Sequence, residues 1–260
     1  MSRITCNFQG RLGNLMFETA CVLATAWRQK LEPCWPQEEC QYYKDITAFG
    51  HFIKPVLKAY GTFTDPAPFK RHEENYKKFE ALPAFTTDTM LYGFYTSSRY
   101  FNDYRREIID VFTKTYRADV AVRVEELRRR HIGKQLVAVH VRRADYVTDY
   151  FWDLPLSYYE AAAAKFPDAE FVVFSDDLDW CNKNLGFMRR PDIVNDRDYM
   201  AIQVMSRMDA IIIANSTFSA WGAMLGDPDC NKTVVAPACW VPPGRGNHNA
   251  DIYEPHWIRL

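Results

Sequence analysis

Long apolar runs are missing from this 260-residue sequence: no stretch approaches the roughly 18 apolar residues that a membrane-spanning helix needs. An excess of charge is missing too. With 32 Lys and Arg against 33 Asp and Glu, the formal net charge is −1. That gives no electrostatic reason to expect a nucleic-acid partner, and any phosphate binding must come from locally placed groups. Cysteine pairs are absent as motifs. The seven cysteines (Cys6, Cys21, Cys34, Cys40, Cys181, Cys230 and Cys239) are odd in number, lack regular spacing and form no CxxC, which argues against zinc ribbons and dithiol redox centres. Free thiols in a reducing compartment fit best. Neither a GxxxxGK[ST] loop nor a GxGxxG is present, so a P-loop enzyme and an ordinary dinucleotide dehydrogenase are disfavoured. The opening "MSRITCNFQG" lacks the apolar centre of a signal peptide. A cytoplasmic chain is expected, with peripheral membrane association left open and the oligomeric state not indicated.

What is there can build a full core. Hydrophobic residues make up 48% and aromatics 15% of the chain, whose length suits one large domain or two small ones. The stretch "FQGRLGNLMFETA" follows a short apolar segment, Ile4 to Phe8, that reads as a strand. Asn14 then stands as a candidate cap for a helix reaching about Lys30, with Leu15, Phe17, Cys21, Leu23 and Trp27 at near-helical spacing. From Pro33 to about Asp88 the periodicity is weak, and irregular structure with short helices is expected. The second half alternates cleanly. "KQLVAVHV", "EFVVFS", "DAIIIA" and "KTVVAP" read as buried strands, while "LSYYEAAAAKF", "DYMAIQVMSRM" and "NSTFSAWGAML" read as helices. That alternation predicts an α/β fold with a parallel sheet flanked by helices on both faces.

Three of these strands run straight into polar clusters. "HVRRADY" carries His140, Arg142, Arg143 and Asp145; "SDDLDW" carries Ser175, Asp176, Asp177 and Asp179; "ANSTFSAWG" carries Asn215, Ser216, Thr217 and Phe218. Singly, each has a plain structural explanation, as surface ion pairs or helix caps. Together they sit where open α/β sheets bind ligands, beyond the carboxyl ends of strands. A guanidinium meets phosphate oxygens through two parallel hydrogen bonds, and a helix N-terminus offers amides and a positive dipole end to an anion. The Asp177–Asp179 pair raises a competing idea, a divalent metal held against a diphosphate. The sequons at Asn215 and Asn231 are read as coincidental.

"GRLGNLMFE", "HVRRADY", "FSDDLDWC" and "DYMAIQVMSRMDAIIIANSTFSAWGAML" resemble, in that order, the α-1,2-fucosyltransferases of glycosyltransferase family 11. The similarity runs from Cys6 to about Leu225. It implies a fold of the GT-B type, two Rossmann-like domains facing across a cleft, here residues 1–132 with the acceptor side and the Gly–Asn loop, and residues 133–260 binding the donor. It implies an inverting, metal-independent galactoside 2-alpha-L-fucosyltransferase that uses GDP-fucose and a β-galactoside acceptor, with no cofactor. By the same resemblance Arg142 stabilises the departing diphosphate, while Asn14 and Asp145 join it as candidate catalytic residues. Gly13, His140, Arg143, Ser175, Asp176, Asp177, Asn215, Ser216, Thr217 and Phe218 are expected around the donor, with Gly10 and Gly13 letting the backbone approach it. The family usually has glutamine at Leu15 and tryptophan at Ala220, so both departures are candidates to alter acceptor choice. Two other functions stay open: a GDP-sugar- or glycan-binding protein without transfer activity, and a metal-dependent glycosyltransferase using Asp177 and Asp179.

Overall fold

A computed structural model of the chain describes residues 1–37, 49–114, 118–143, 146–147, 152–188, 191–195, 198–242 and 250–260. They belong to two compact units, residues 1–115 with 248–252, and residues 116–247 with 253–260. Among the described residues no helix is long and apolar enough to cross a membrane.

The first unit is built on a five-stranded sheet in the order β3-β2-β1-β5-β4, with every pairing parallel. Its strands are β1 (Arg3–Cys6), β2 (Glu32–Pro36), β3 (Thr62–Thr64), β4 (Lys70–Glu73) and β5 (Thr89–Tyr92). The helices are α1 (Leu12–Gln29), α2 (Lys54–Tyr60) and α3 (Arg105–Thr113). Two expectations are corrected here. The tract from Pro33 to Asp88 holds the expected short helix, α2, and irregular stretches, but also strands that were not expected: most of β2 and all of β3 and β4 lie in it. β2 is interrupted by prolines and β4, "KRHE", is a largely exposed edge strand, so neither shows an apolar run. The first helix also starts two residues before Asn14. Arg11 occupies the cap position without a side-chain bond, and the Asn14 amide already donates to Arg11 O at 2.9 Å. The turn is tied instead from below: Glu18, fully buried in α1, takes the Gln9 amide on both carboxylate oxygens, at 3.0 and 3.2 Å.

The second unit holds a six-stranded sheet in the order β11-β10-β9-β6-β7-β8, again with parallel pairings throughout. These are β6 (Leu136–Val141), β7 (Glu170–Ser175), β8 (Asp192–Val194), β9 (Ala210–Ile212), β10 (Thr233–Ala236) and β11 (Ile258–Arg259). Helices α4 (Ala118–Arg130), α5 (Leu156–Ala163), α6 (Leu178–Asn184), α7 (Asp198–Met205) and α8 (Thr217–Leu225) connect and cover them. All six residues of β6 are buried, which is why "LVAVHV" reads as a continuous apolar run rather than an alternation. The chain lays down β6, β7 and β8 in one direction, then returns to the other side of β6 and lays down β9, β10 and β11. β6 and β9 are thus the neighbours at which the winding reverses.

The boundary expected after residue 132 is corrected as well. Helix α4 belongs with the second sheet: Arg128 pairs with Asp209 at 2.7 Å and donates to Arg207 O at 2.9 Å, while Asp209 also takes the Leu136 amide at 2.7 Å. The chain also revisits the first unit late, where Asp251 accepts from the Phe79 amide at 2.7 Å and pairs with Arg99 at 3.0 Å.

Candidate functional site

In a doubly wound sheet the reversal of winding opens a crevice at the carboxyl ends of the two strands involved. The second unit puts its sequence-predicted residues there. His140 is the penultimate residue of β6 and Arg142 and Arg143 follow it; Asn215 and Ser216 follow β9 and lead into α8; Ser175 ends β7, with Asp176 and Asp177 next. Because β9, β6 and β7 are adjacent and parallel, the three clusters share one edge. Asp145 lies outside the described residues.

The two arginines part company. Arg142 pairs through Nη1 with Asp176 Oδ2 at 2.6 Å, and its guanidinium carbon lies 5.4 Å from the Tyr146 ring centre. Arg143 is taken up by structure: Nη1 meets Asp153 at 2.8 Å, Nε meets Asp177 at 3.1 Å, and the guanidinium lies over Trp180 at 4.4 Å. Its amide donates to Asp176 Oδ1 at 2.8 Å, so Asp176 holds both arginines, one by side chain and one by backbone. Asp177 caps α6, its Oδ1 accepting from the Trp180 amide at 3.0 Å, and Ser175 Oγ accepts from the Asp177 amide at 3.0 Å. Both oxygens of Asp177 are therefore engaged by protein donors. Asp179 is exposed in the first turn of α6.

His140 is 5% exposed and its Nδ1 has no hydrogen-bond partner among the described residues. Burial, reinforced by the Arg142 charge, pushes its pKa down to about 3, so the ring is neutral at ordinary pH. It packs on Phe218 with ring centres 5.3 Å apart. Asn215 is buried, and its amide nitrogen donates to the carbonyls of Trp152 at 2.9 Å and Trp240 at 3.1 Å, so its donors serve the loop rather than a ligand. Ser216 precedes α8 without capping it through its side chain. The positive end of the α8 dipole lies at this edge of the sheet.

In the first unit the loop after β1 lies at the carboxyl end of a central strand, with β2 and β5 as its parallel neighbours. Gly10 has φ +74°, and a Cβ there would collide with the Asn14 amide group. Gly10 is a glycine for the sake of Asn14 as well as for its own conformation. Gly13 and Leu15 are buried in the first turn of α1, and Ala220 is buried in α8. Leu15 and Ala220 are core residues here, so their departures from the family pattern read as packing changes. Sequence reasoning missed Glu74, next to the end of β4. Its Oε2 accepts from the amides of Phe94 at 2.7 Å and Tyr95 at 2.9 Å, and a Cβ on Gly93 (φ +151°) would strike it. Burial outweighs those two bonds and raises the carboxyl to about 7. Beside it lies a cavity lined by Tyr76, Phe79, Thr96, Ser97 and Tyr100. In "KRHEENYKK" nothing separates Glu74 from the exposed Glu73, so no sequence signal could have found it.

A family model described as Glycosyl transferase family 11 matches residues 2–260. The O-antigen biosynthesis glycosyltransferase WbnK of Escherichia coli is 33% identical over 150 residues, 50% of this chain and 48% of that protein, so the chain spans about half the length of this relative. An alpha-1,2-colitosyltransferase of Escherichia coli is 30% identical over 234 residues, 84% of this chain and 77% of that protein. A galactoside 2-alpha-L-fucosyltransferase, SEC1 of Bos taurus, is 27% identical over 247 residues, 85% of this chain and 64% of that protein. Among solved structures, the fucosyltransferase NodZ from Bradyrhizobium matches with a TM-score of 0.52 at 13% identity, covering 86% of this chain and 94% of its own. That likeness is one of fold, the GT-B type with two parallel-sheet units flanked by helices.

Proposed function

The chain belongs to glycosyl transferase family 11, and on that premise we propose that it moves L-fucose from GDP-β-L-fucose to the 2-hydroxyl of a terminal β-galactoside, inverting the anomeric centre without a metal. The observation that carries this reading is Arg142. It stands at the reversal of winding, oriented by Asp176, on the same sheet edge as the α8 N-terminus. The names of the relatives agree with it: one specifies an alpha-1,2 linkage and another a galactoside acceptor and a fucosyl group.

In this reaction the acceptor oxygen forms a bond to the anomeric carbon as the bond to the diphosphate breaks, and GDP leaves with the electron pair. The sugar passes through an oxocarbenium-like state, so the demand falls on stabilising the leaving diphosphate. Arg142 supplies a fixed positive fork and α8 supplies amides. Asp177, spent on its cap and on Arg143, is badly placed to add a metal, which favours the arginine over the Asp177–Asp179 pair. For the acceptor proton, Asp145 is the candidate.

Purified protein given GDP-fucose and lactose, with and without EDTA, tests the reading. Product linked at the galactose 2-hydroxyl and indifferent to brief chelation is expected. Arg142→Lys should fold normally and lose on the order of 10²–10³ in turnover, as when one transition-state donor is removed; wild-type turnover in that variant would end the assignment. A second reading keeps the linkage and changes the sugar to colitose, the one named for the Escherichia coli relative. Offering both sugar nucleotides in competition separates the two. Binding of GDP-fucose without product on any β-galactoside would instead point to a binding protein.

A further inference from the structure

On the second unit, at the sheet edge opposite the one carrying Arg142, three side chains of different chemistry converge. Cys230, Glu254 and His256 each present a donor atom, and these atoms all lie within 4.8 Å of one another. Cys230 sits in the turn three residues before β10, and Glu254 and His256 lie just before β11. Because those strands are parallel neighbours, both segments arrive at the same end of the sheet. Glu254 is 4% exposed, so the cluster is not a surface scatter of acids. Behind it stands Asp227, 5% exposed, whose Oδ2 lies 3.3 Å from His256 Nε2. Those two atoms are buried and neither has a hydrogen-bond partner among the described residues. The other oxygen of Asp227 takes the Asn231 amide at 2.6 Å, which fixes the carboxylate in place.

We propose that Cys230, Glu254 and His256 bind one zinc ion that fastens the C-terminal segment bearing β11 to the turn before β10. A thiolate, an imidazole and a carboxylate form a mixed set that suits zinc, whose structural and catalytic sites draw on these ligand types, and that suits magnesium or calcium poorly. A ligating imidazole ordinarily gives its second nitrogen to a carboxylate, and Asp227 is placed to receive it; it acts as a positioning residue. On binding, Cys230 gives up its thiol proton to solvent as the sulfur–zinc bond forms, so uptake weakens in acid. This site is independent of the transfer reading, lies away from the residues assigned to it, and needs no sugar nucleotide to be tested.

The experiment is a zinc titration of the full chain against a chromophoric chelator, repeated with cobalt to look for a thiolate-to-metal charge-transfer band. One equivalent bound and a sulfur-based band are expected. A Cys230→Ser/His256→Gln double variant should lose both, Asp227→Asn should weaken binding by about 10–100-fold, and Cys239→Ser, removing an exposed thiol elsewhere, should keep both. Zinc removal should also lower the melting temperature of the wild type and leave that of the double variant where it is. Equal metal uptake by wild type and double variant, or no uptake by either, would overturn the proposal and leave an ordinary Asp227–His256 ion pair. Loss of the band in Cys239→Ser would overturn it too.

Discussion

At the scale of single residues, the sequence singles out Arg142 and Arg143 together and says nothing of how their surroundings differ. Arg142 and Arg143 look interchangeable in "HVRRADY", yet neighbours leaving a strand point to opposite sides. One reaches Asp176 on the ligand edge, while the other turns to Asp153, Asp177 and the Trp180 face. The partner that decides this, Asp153, lies ten positions downstream and has no motif of its own. Two buried titratable groups make opposite predictions. His140 is neutral when folded, with its pKa depressed to about 3, whereas the unfolded chain binds a proton near 6.5. Its contribution to stability is present above about 6.5 and is lost as the pH falls towards 3. Unfolding midpoints in urea should therefore decline on acidification from pH 7 to 4.5 less steeply in His140→Gln than in the wild type. Glu74 is raised to about 7, so the folded state holds the proton and the unfolded chain releases it near 4.5. Here stability is lost as the pH climbs through 7. Glu74→Gln should be the more stable protein at pH 8 and nearly equal to the wild type at pH 4.5, by the same urea measurement.

At the scale of elements, legibility followed burial. β6, β7, β9 and β10 are covered on both faces, so their sequences are runs of Val, Ile and Phe that stand out without any alternation. β2, β3 and β4 are short, prolyl or exposed, and their identity comes from the ladder partners they find, β1 for β2, β2 for β3 and β5 for β4, rather than from their own residues. The allegiance of α4 to the second sheet rests on its packing against α7 and on a carboxylate far along the chain, which no local pattern reveals. Asp209 accepts from Arg128 and from the Leu136 amide, joining α4 to the start of β6. Asp209→Asn should cost on the order of 1–2 kcal/mol of stability, read by denaturant unfolding, with the rate of the proposed transfer unchanged below the melting range.

At the scale of the whole molecule, the expected two-unit α/β architecture is present and its division is displaced. A fragment starting at residue 116 keeps α4 with the sheet it covers, whereas one starting at residue 133 bares the α7 surface that α4 packs against. The longer fragment should show the higher melting temperature by circular dichroism, and a reversed order would contradict the division drawn here. The late return of residues 248–252 has a consequence for how the chain is made. A ribosome delivers Phe79 and Arg99 long before Asp251, the residue that receives the amide of one and the guanidinium of the other. The first unit therefore waits, during synthesis, for a stitch that arrives only after nearly all of the second has been translated.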